Sequence, residues 1–237
     1  MYRREPCEGG ALFCADTDTL GVDSDTLTRV GQEKEWDVIV GGTWTGGGIS
    51  SGRLWLWGDD FQESTPSDRF IEIPGQRPWQ DLALGDRHAC AIQGGELHCW
   101  GDNQHGQLGD GTTEPRRQPQ RVGNGDGWTD VTAAEDITCG IQDGALYCWG
   151  VTAFRYSPQS KQVSPPLFTS TPRLADPQRD WIAVETSPTL VCGLRSGGRL
   201  ACREHAFFRV GVDGKPLKPA ELEPTPFAPP GTRRYGF

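Results

Sequence analysis

Between Trp79 and Gly111 the chain reads WQDLALGDRHACAIQGGELHCWGDNQHGQLGDG. It opens with a Trp and a short apolar alternation through Leu82 and Leu84, the period-two pattern of a half-buried strand. Two apolar arms then flank Gly94-Gly95, a hairpin signal, because such a pair supplies the positive φ of a tight turn. Trp100-Gly101 closes the second arm, and a glycine-rich run follows through Gly106, Gly109 and Gly111.

The rest of the chain repeats this pattern imperfectly. Trp36-Asp37-Val38-Ile39-Val40, Trp128-Thr129-Asp130-Val131 and Trp181-Ile182-Ala183-Val184 begin as Trp79 does, and the four Trp residues lie 43, 49 and 53 positions apart. Counted from Asp37, Asp81, Asp130 and Ala183, a matching Leu falls 17, 16, 16 and 17 residues on, at Leu54, Leu97, Leu146 and Leu200. The strand region is thus nearly constant and the insertions fall between hairpin and next Trp, as expected for one repeated supersecondary unit.

Each unit predicts four strands. The first follows the Trp, and the second and third flank Ser51-Gly52, Gly94-Gly95, Asp143-Gly144 or the longer Ser196-Gly197-Gly198. The fourth is expected at Arg69–Ile73, Gln120–Val122, Pro172–Leu174 and Thr225–Phe227. Four strands in roughly 45 residues is the signature of a propeller blade. Gly10-Ala11-Leu12-Phe13-Cys14 matches Gly144-Ala145-Leu146-Tyr147-Cys148, so the N-terminal stretch reads as a unit lacking its first strand. The terminal Gly231–Phe237 is a candidate for that strand, which would remove two open sheet edges. The expected fold is an all-β propeller of four-stranded blades, about five in number, in one domain spanning 1–237, with units near 1–35, 36–78, 79–127, 128–180 and 181–237.

The cysteines sit in register with the turns. Counting outward from Gly94-Gly95 puts Cys90 opposite Cys99; the same count puts Cys139 opposite Cys148, and one extra residue on the longer turn keeps Cys192 opposite Cys202. Opposed antiparallel residues lie close enough for a disulfide. The second unit has Gly47 and Leu56 at these two places, so both cysteines are lost together, as a bonded pair requires. Cys7 and Cys14 are two residues closer in sequence and can pair only with a rebuilt turn. His88 and His98 beside Cys90 and Cys99 raise a zinc alternative, but the later pairs have no such His, and opposed strand positions suit a bridge better than a tetrahedral site. No metal and no cofactor is expected. Several disulfides imply an oxidising compartment.

Composition narrows the function classes. With 32 Gly and 18 Pro the chain suits short strands and turns, and a net charge of −9 argues against a phosphate-backbone binder. Nucleic acid is therefore not an expected partner. No apolar run reaches the ~18 residues of a spanning helix, and MYRREPCEGG has no apolar region of a secretory signal. The acidic run Asp16, Asp18, Asp23 and Asp25 fails as a calcium loop, having Leu20 and Leu27 at the places of two ligands, and reads as a solvated loop. No nucleophile elbow, zinc-protease helix or phosphate loop is present, so no catalytic residue is assigned and an enzyme is not expected.

Trp57-Gly58, Trp100-Gly101 and Trp149-Gly150 read as core between blades, whereas Trp44 and Trp55 lack counterparts and suit the surface. Two loops break the repeat. The one from Val151 to Thr171 holds Phe154, Arg155, Tyr156 and Lys161, and the other holds Phe207, Phe208 and Arg209. Aromatics beside cations are favoured at interfaces, which makes these seven residues the candidate binding elements.

Trp79, Gly85, His88, Cys90-Ala91, Gly95, Leu97, Cys99-Trp100-Gly101, Asn103 and Gly106-Gln107-Leu108-Gly109 together resemble the repeat of the regulator of chromosome condensation family. The third unit matches closely, the fourth moderately, and the second and fifth only in frame. The Cys-bearing hairpin looks like the version in exported bacterial repeat proteins. The resemblance implies a β-propeller, usually of seven blades, whereas this chain has room for about five. The expected function is a non-enzymatic propeller that binds another protein or a glycan, exported into the periplasm, to the cell surface or outside the cell. The alternatives are an accessory or catalytic domain of a glycan-acting enzyme, or a GTPase-regulating propeller.

Overall fold

Turn geometry explains why the chain breaks into short strands. In the computed structural model both turn residues have positive φ at Ser51-Gly52 (50° and 74°), Gly94-Gly95 (58° and 79°) and Asp143-Gly144 (49° and 74°). A turn of this hand matches the twist of the flanking strands, and Gly in second place carries no Cβ to clash. The structure describes residues 12–14, 28–30, 36–42, 45–58, 71–153, 156–157, 162–163, 167–187 and 190–204. All lie within the unit Met1–Phe207.

The second blade is an antiparallel meander of β3 (Val38–Gly41), β4 (Thr45–Ser50), β5 (Arg53–Gly58) and β6 (Ile71–Ile73). The third repeats it with β7 (Trp79–Leu84), β8 (His88–Gln93), β9 (Glu96–Gly101) and β10 (Arg116–Arg121). The fourth consists of β11 (Trp128–Ala134), β12 (Ile137–Gln142), β13 (Ala145–Ala153) and β16 (Leu167–Asp176), with a two-stranded sheet, β14 (Tyr156–Ser157) and β15 (Gln162–Val163), inserted before β16. The fifth has three strands among the described residues, β17 (Trp181–Thr186), β18 (Leu190–Arg195) and β19 (Arg199–Glu204). From the first unit, β1 (Leu12–Cys14) pairs with β2 (Thr28–Val30). The fold is all-β, a propeller of these blades.

Several expected bounds move. The strand foreseen at Gln120–Val122 begins earlier, at Arg116, and the one foreseen at Pro172–Leu174 spans Leu167–Asp176. Here β13 and β16 lengthen together, pairing Val151 with Phe168 and Ala153 with Leu167, so the ends of the supposed loop 151–171 are ladder. The strand expected at Thr225–Phe227 and the closing segment Gly231–Phe237 lie outside the described residues.

The counting frame also needs one correction. In β7 Trp79 faces Gln93 and Asp81 faces Ile92, so Gln80 is an extra, bulged residue; Thr129 and Ile182 are the same bulge in β11 and β17. In β3 Val38 faces Ile49 with no bulge, so Val38, not Asp37, stands where Asp81 stands. The longer count from Asp37 arose because Asp37, directly after Trp36, stands where Gln80 follows Trp79, and that from Ala183 arose from the longer hairpin turn.

Blades join through a repeated set of contacts. The Trp79, Trp128 and Trp181 amides donate to the turn carbonyls of Gly52, Gly95 and Gly144 in the preceding blade, at 2.9, 3.0 and 3.0 Å. The buried Asp81 and Asp130 carboxylates reach the other way, accepting from the Val131 and Val184 amides at 3.0 and 2.5 Å. Between these ties lie the cores. Ile49, Leu54 and Leu56 pack under Trp79, Leu82 and Trp100; Ile92, Leu97, Cys90 and Cys99 under Trp128, Val131 and Trp149; Ile141, Leu146, Cys139 and Cys148 under Trp181, Val184 and Val191.

The disulfides belong to this inter-blade face. Cys90–Cys99, Cys139–Cys148 and Cys192–Cys202 are bridged across directly opposed positions, with Cα atoms 4.1, 4.0 and 4.0 Å apart. In the second blade Gly47 faces Leu56, and a Cβ on Gly47 would lie 2.7 Å from the Leu56 and Leu82 Cδ2 atoms. One large side chain over a glycine therefore fills the space that two bonded sulfurs fill elsewhere. Any pairing of Cys7 with Cys14 lies outside the described residues.

Candidate functional site

In a four-stranded meander the first and third connections emerge at one end of the blade. In the third and fourth blades this end is held together by loop-to-loop contacts. The Asp86 amide, between β7 and β8, donates to the Glu135 carbonyl between β11 and β12 at 3.3 Å, and the Gly111 amide donates to the Ser170 carbonyl of β16 at 2.8 Å.

The segment from Asn103 to Gly109 is a built foundation. Asn103 and Leu108 are fully buried and Gln107 is nearly so. The Asn103 amide group donates to the Thr112 and Glu114 carbonyls at 3.1 and 3.0 Å, while its oxygen accepts from the Leu108 amide at 3.0 Å. The Gln107 carbonyl accepts from the Thr138 hydroxyl at 2.8 Å and the Trp149 indole at 2.9 Å. That hydroxyl has spent its one hydrogen, so it accepts from His88 Nε2–H at 2.8 Å. His88 is thus the neutral Nε2–H tautomer. Its buried Nδ1 makes no hydrogen bond in the neutral ring, and burial pushes its pKa down to about 4 against the pull of Asp136, Asp86 and the Glu135 backbone carbonyl.

On this foundation stand the groups that meet solvent. The Gln107 side-chain amide donates to Asp136 Oδ1 at 2.8 Å, and His105 Nδ1 lies 2.9 Å from Asp136 Oδ2. The part-buried His105 ring meets Phe168 edge-on, ring centroids 6.0 Å apart, and Phe168 is 44% exposed. Glu135, next to Asp136 in the chain, is exposed and in a left-handed conformation, φ 46°. Burial, then Asp86 and Asp136, raise its pKa above the usual carboxylate range. Asp110 has the opposite fate. Burial pushes it up, but hydrogen bonds from Thr112 and Arg116 outweigh that and hold its pKa low. The rim therefore presents the Phe168 ring and the His105 imidazole, with Asp136 held by His105 and Gln107, and with Glu135 and Arg87 exposed on the adjoining loops.

The sequence-derived candidates fall differently. Phe154, Arg155, Lys161, Phe207, Phe208 and Arg209 lie outside the described residues, as does Trp44. Tyr156 begins β14, opposite Val163. Trp100 and Trp149 are core, as expected, while Trp57 is half-buried and meets Trp36 edge-on at 5.9 Å. Trp55 lies under the Arg53 guanidinium at 4.7 Å. His88 and His98 do not converge on a metal position: one bonds Thr138, the other packs on Trp79 at 5.8 Å. Among the described residues no group of three His, Cys, Asp or Glu side chains could hold a metal ion. Sequence reasoning missed Asp86, His105, the Glu135-Asp136 pair and Phe168, which come from four separate stretches of the chain. Only the paired acids of Glu135-Asp136 between two strands offered a local sign.

Repeated four-stranded blades, joined by a Trp-led strand on an aliphatic face, define the class as a β-propeller scaffold. Two profiles of the regulator of chromosome condensation (RCC1) repeat match residues 94–141 and 79–107, so this repeat is recognised over residues 79–141. The human E3 ubiquitin-protein ligase HERC2 is 34% identical over 107 residues, which is 41% of this chain and 2% of that protein. The ultraviolet-B receptor UVR8 of Arabidopsis thaliana is 41% identical over 76 residues, 29% of this chain and 17% of that one. Among solved structures, Prp20p from Saccharomyces cerevisiae superposes with a TM-score of 0.66 at 16% identity, over 88% of this chain and 59% of that one. Human WBSCR16 gives 0.61 at 15%, over 72% and 47%. The chain spans about half the length of these solved propellers and far less of the curated relatives. The Prp20p structure is described with its binding to Gsp1p and histones, and a further one shows Kap60 bound to yeast RCC1.

Proposed function

We propose that the chain is a non-enzymatic, protein-binding propeller that works in an oxidising compartment outside the cytosol, and that the loop-bearing rim of its third and fourth blades docks a basic segment of a partner protein. The observation that carries this reading is the exposed Phe168 ring set against His105, which is bonded to Asp136, with Glu135 beside Asp136 and joined to Asp86 by a backbone hydrogen bond. An aromatic anchor beside carboxylates suits an Arg or Lys side chain, whose alkyl stem packs on the ring while its charge meets the acids. The net charge of −9 would steer such a partner inward. Three bridged hairpins favour oxidising surroundings. Phe154, Arg155, Tyr156 and Lys161, in the segment between β13 and β16, remain candidates for a second contact with the partner.

The test is fluorescence anisotropy with a labelled Arg/Lys-rich peptide and an acidic peptide of equal length. The basic peptide should bind, more weakly as salt rises, and Glu135→Arg or Phe168→Ala should each weaken it about tenfold or more, with unchanged thermal unfolding. Equal binding of both peptides, or indifference to Glu135→Arg, would remove the rim from the mechanism.

A further inference from the structure

The chain has two asparagines, Asn103 and Asn124, and the fold treats them in opposite ways. Asn103 is fully buried, its amide group donating to the Thr112 and Glu114 carbonyls and its oxygen accepting from the Leu108 amide. The residue after it is Gln104. Asn124 lies in the connection from β10 to β11, Gly123-Asn124-Gly125-Asp126-Gly127, and residues 123–126 are all exposed. Its side-chain amide has no hydrogen-bond partner among the described residues, and the residue after it is a glycine.

An asparagine side chain can be attacked by the backbone nitrogen of the next residue. That nitrogen gives its proton to solvent base and bonds to the side-chain carbonyl carbon, closing a five-membered imide. The side-chain nitrogen takes up a proton and leaves as ammonia. Water then opens the imide at either carbonyl, so asparagine and water become ammonia and either aspartate or isoaspartate. Three things oppose the attack: a Cβ on the next residue, a hydrogen bond that holds its N–H, and the weak acidity of that N–H. All three are relieved at Asn124. Gly125 has no Cβ to crowd the approach. Its N–H donates no hydrogen bond among the described residues. The acidity is raised by Arg121. This side chain is held by Glu96 at 3.2 Å through Nη1, and its Nη2 donates to the Asn124 and Gly125 carbonyls at 3.4 Å each. The Asn124 carbonyl is conjugated with the Gly125 nitrogen, so a permanent positive charge on that carbonyl draws electrons from the nitrogen and eases loss of its proton.

We propose that Asn124 is a site of spontaneous modification, converting to aspartate and isoaspartate in the folded protein with the help of Arg121, while Asn103 stays intact. The product places a new negative charge in the connection that leads into Trp128, and its isoaspartyl form also lengthens the backbone there by one carbon. The Trp128 amide holds the fourth blade to the Gly95 carbonyl of the third at 3.0 Å, so the modification falls next to a tie between blades. In each meander this connection emerges with the central hairpin turn, at the end opposite the rim, and the inference does not depend on the rim reading.

Ageing the purified full chain at pH 7 and pH 8, followed by anion exchange and peptide mapping, tests the proposal. A more acidic species should accumulate, faster at the higher pH. Its Asn124 peptide should contain aspartate and isoaspartate, and its Asn103 peptide should be unchanged. Gly125→Ala should slow the conversion about tenfold, and the new Cβ asks only that the Gln142 side chain shift, its Nε2 lying 2.5 Å away. Arg121→Gln should slow it severalfold in the folded chain and leave it unchanged in urea, whereas Arg121→Lys should keep most of the rate. Urea unfolding curves of the Arg121 variants should match the wild type, which separates a slower reaction from a loosened fold. An aged chain with Asn124 intact, or with Asn103 converted as fast as Asn124, overturns the proposal. Equal rates for the folded wild type and Arg121→Gln overturn the part given to Arg121.

Discussion

Protonation of His88 offers the sharpest test of the packing between the third and fourth blades. The ring is buried, its Nε2 is committed to Thr138, and burial lowers its pKa from 6.5 to about 4. A depressed histidine pKa means that the unfolded chain takes up the proton first as pH falls. Stability contributed by the neutral ring is therefore complete above pH 6.5 and drains away as pH falls towards about 4. At roughly 1.4 kcal/mol per pKa unit, the loss between pH 7 and pH 4.5 comes to about 2 kcal/mol, since the full shift is not yet spent at the lower pH. Other groups titrate in this range, and burial lowers the His98 pKa in the same direction. They cancel in a comparison with His88→Gln, which can still donate to Thr138 but takes up no proton. Urea unfolding of both proteins at pH 7 and pH 4.5 should show the wild type losing about 2 kcal/mol more than the variant. Parallel losses would refute the reasoning, because they would mean that the Glu135 carbonyl, the nearby acids or entering water compensate the charged ring fully for its burial.

The hairpin bridges give a second set of outcomes. Reduction of Cys90–Cys99, Cys139–Cys148 and Cys192–Cys202 should lower thermal stability without fragmenting the fold, each loop of ten or so residues contributing about 2–3 kcal/mol at most; peptide mapping should find every pair within its own hairpin. Placing a bridge in the second blade should work only as a pair: Gly47→Cys with Leu56→Cys should form a disulfide and fold, while Gly47→Cys alone should destabilise, its Cβ meeting Leu56 Cδ2 at 2.7 Å. Asp130→Ala should cost about 1–3 kcal/mol in denaturant unfolding, since it leaves the buried Val184 amide without its acceptor. Replacing Phe154, Arg155 and Tyr156 together by Ala should weaken partner capture and leave unfolding almost unchanged; a sharp loss of stability would make that segment packed structure instead.

The repeat, the hairpin turns and the bridges were determined by sequence alone, because each is a local matter. A two-residue turn selects Gly by its φ, and the pairing of Cys90 with Cys99 follows from counting outward from Gly94-Gly95. The β-bulge at Gln80 was not visible, because whether Asp37 or Val38 stands opposite Ile49 depends on how the strand meets its neighbour, not on its own pattern. For the same reason Asp81 and Asp130 read as ordinary polar residues, although each accepts an amide hydrogen from the next blade about 50 residues on. The rim is the clearest case. His105 and Asp136 are brought to 2.9 Å, and His105 and Phe168 to ring contact, by the packing of one blade on the next. Local propensity builds a blade; the juxtaposition of side chains from different blades is set by the angle at which the Trp-led strand seats on the aliphatic face, and that exists only in the tertiary structure.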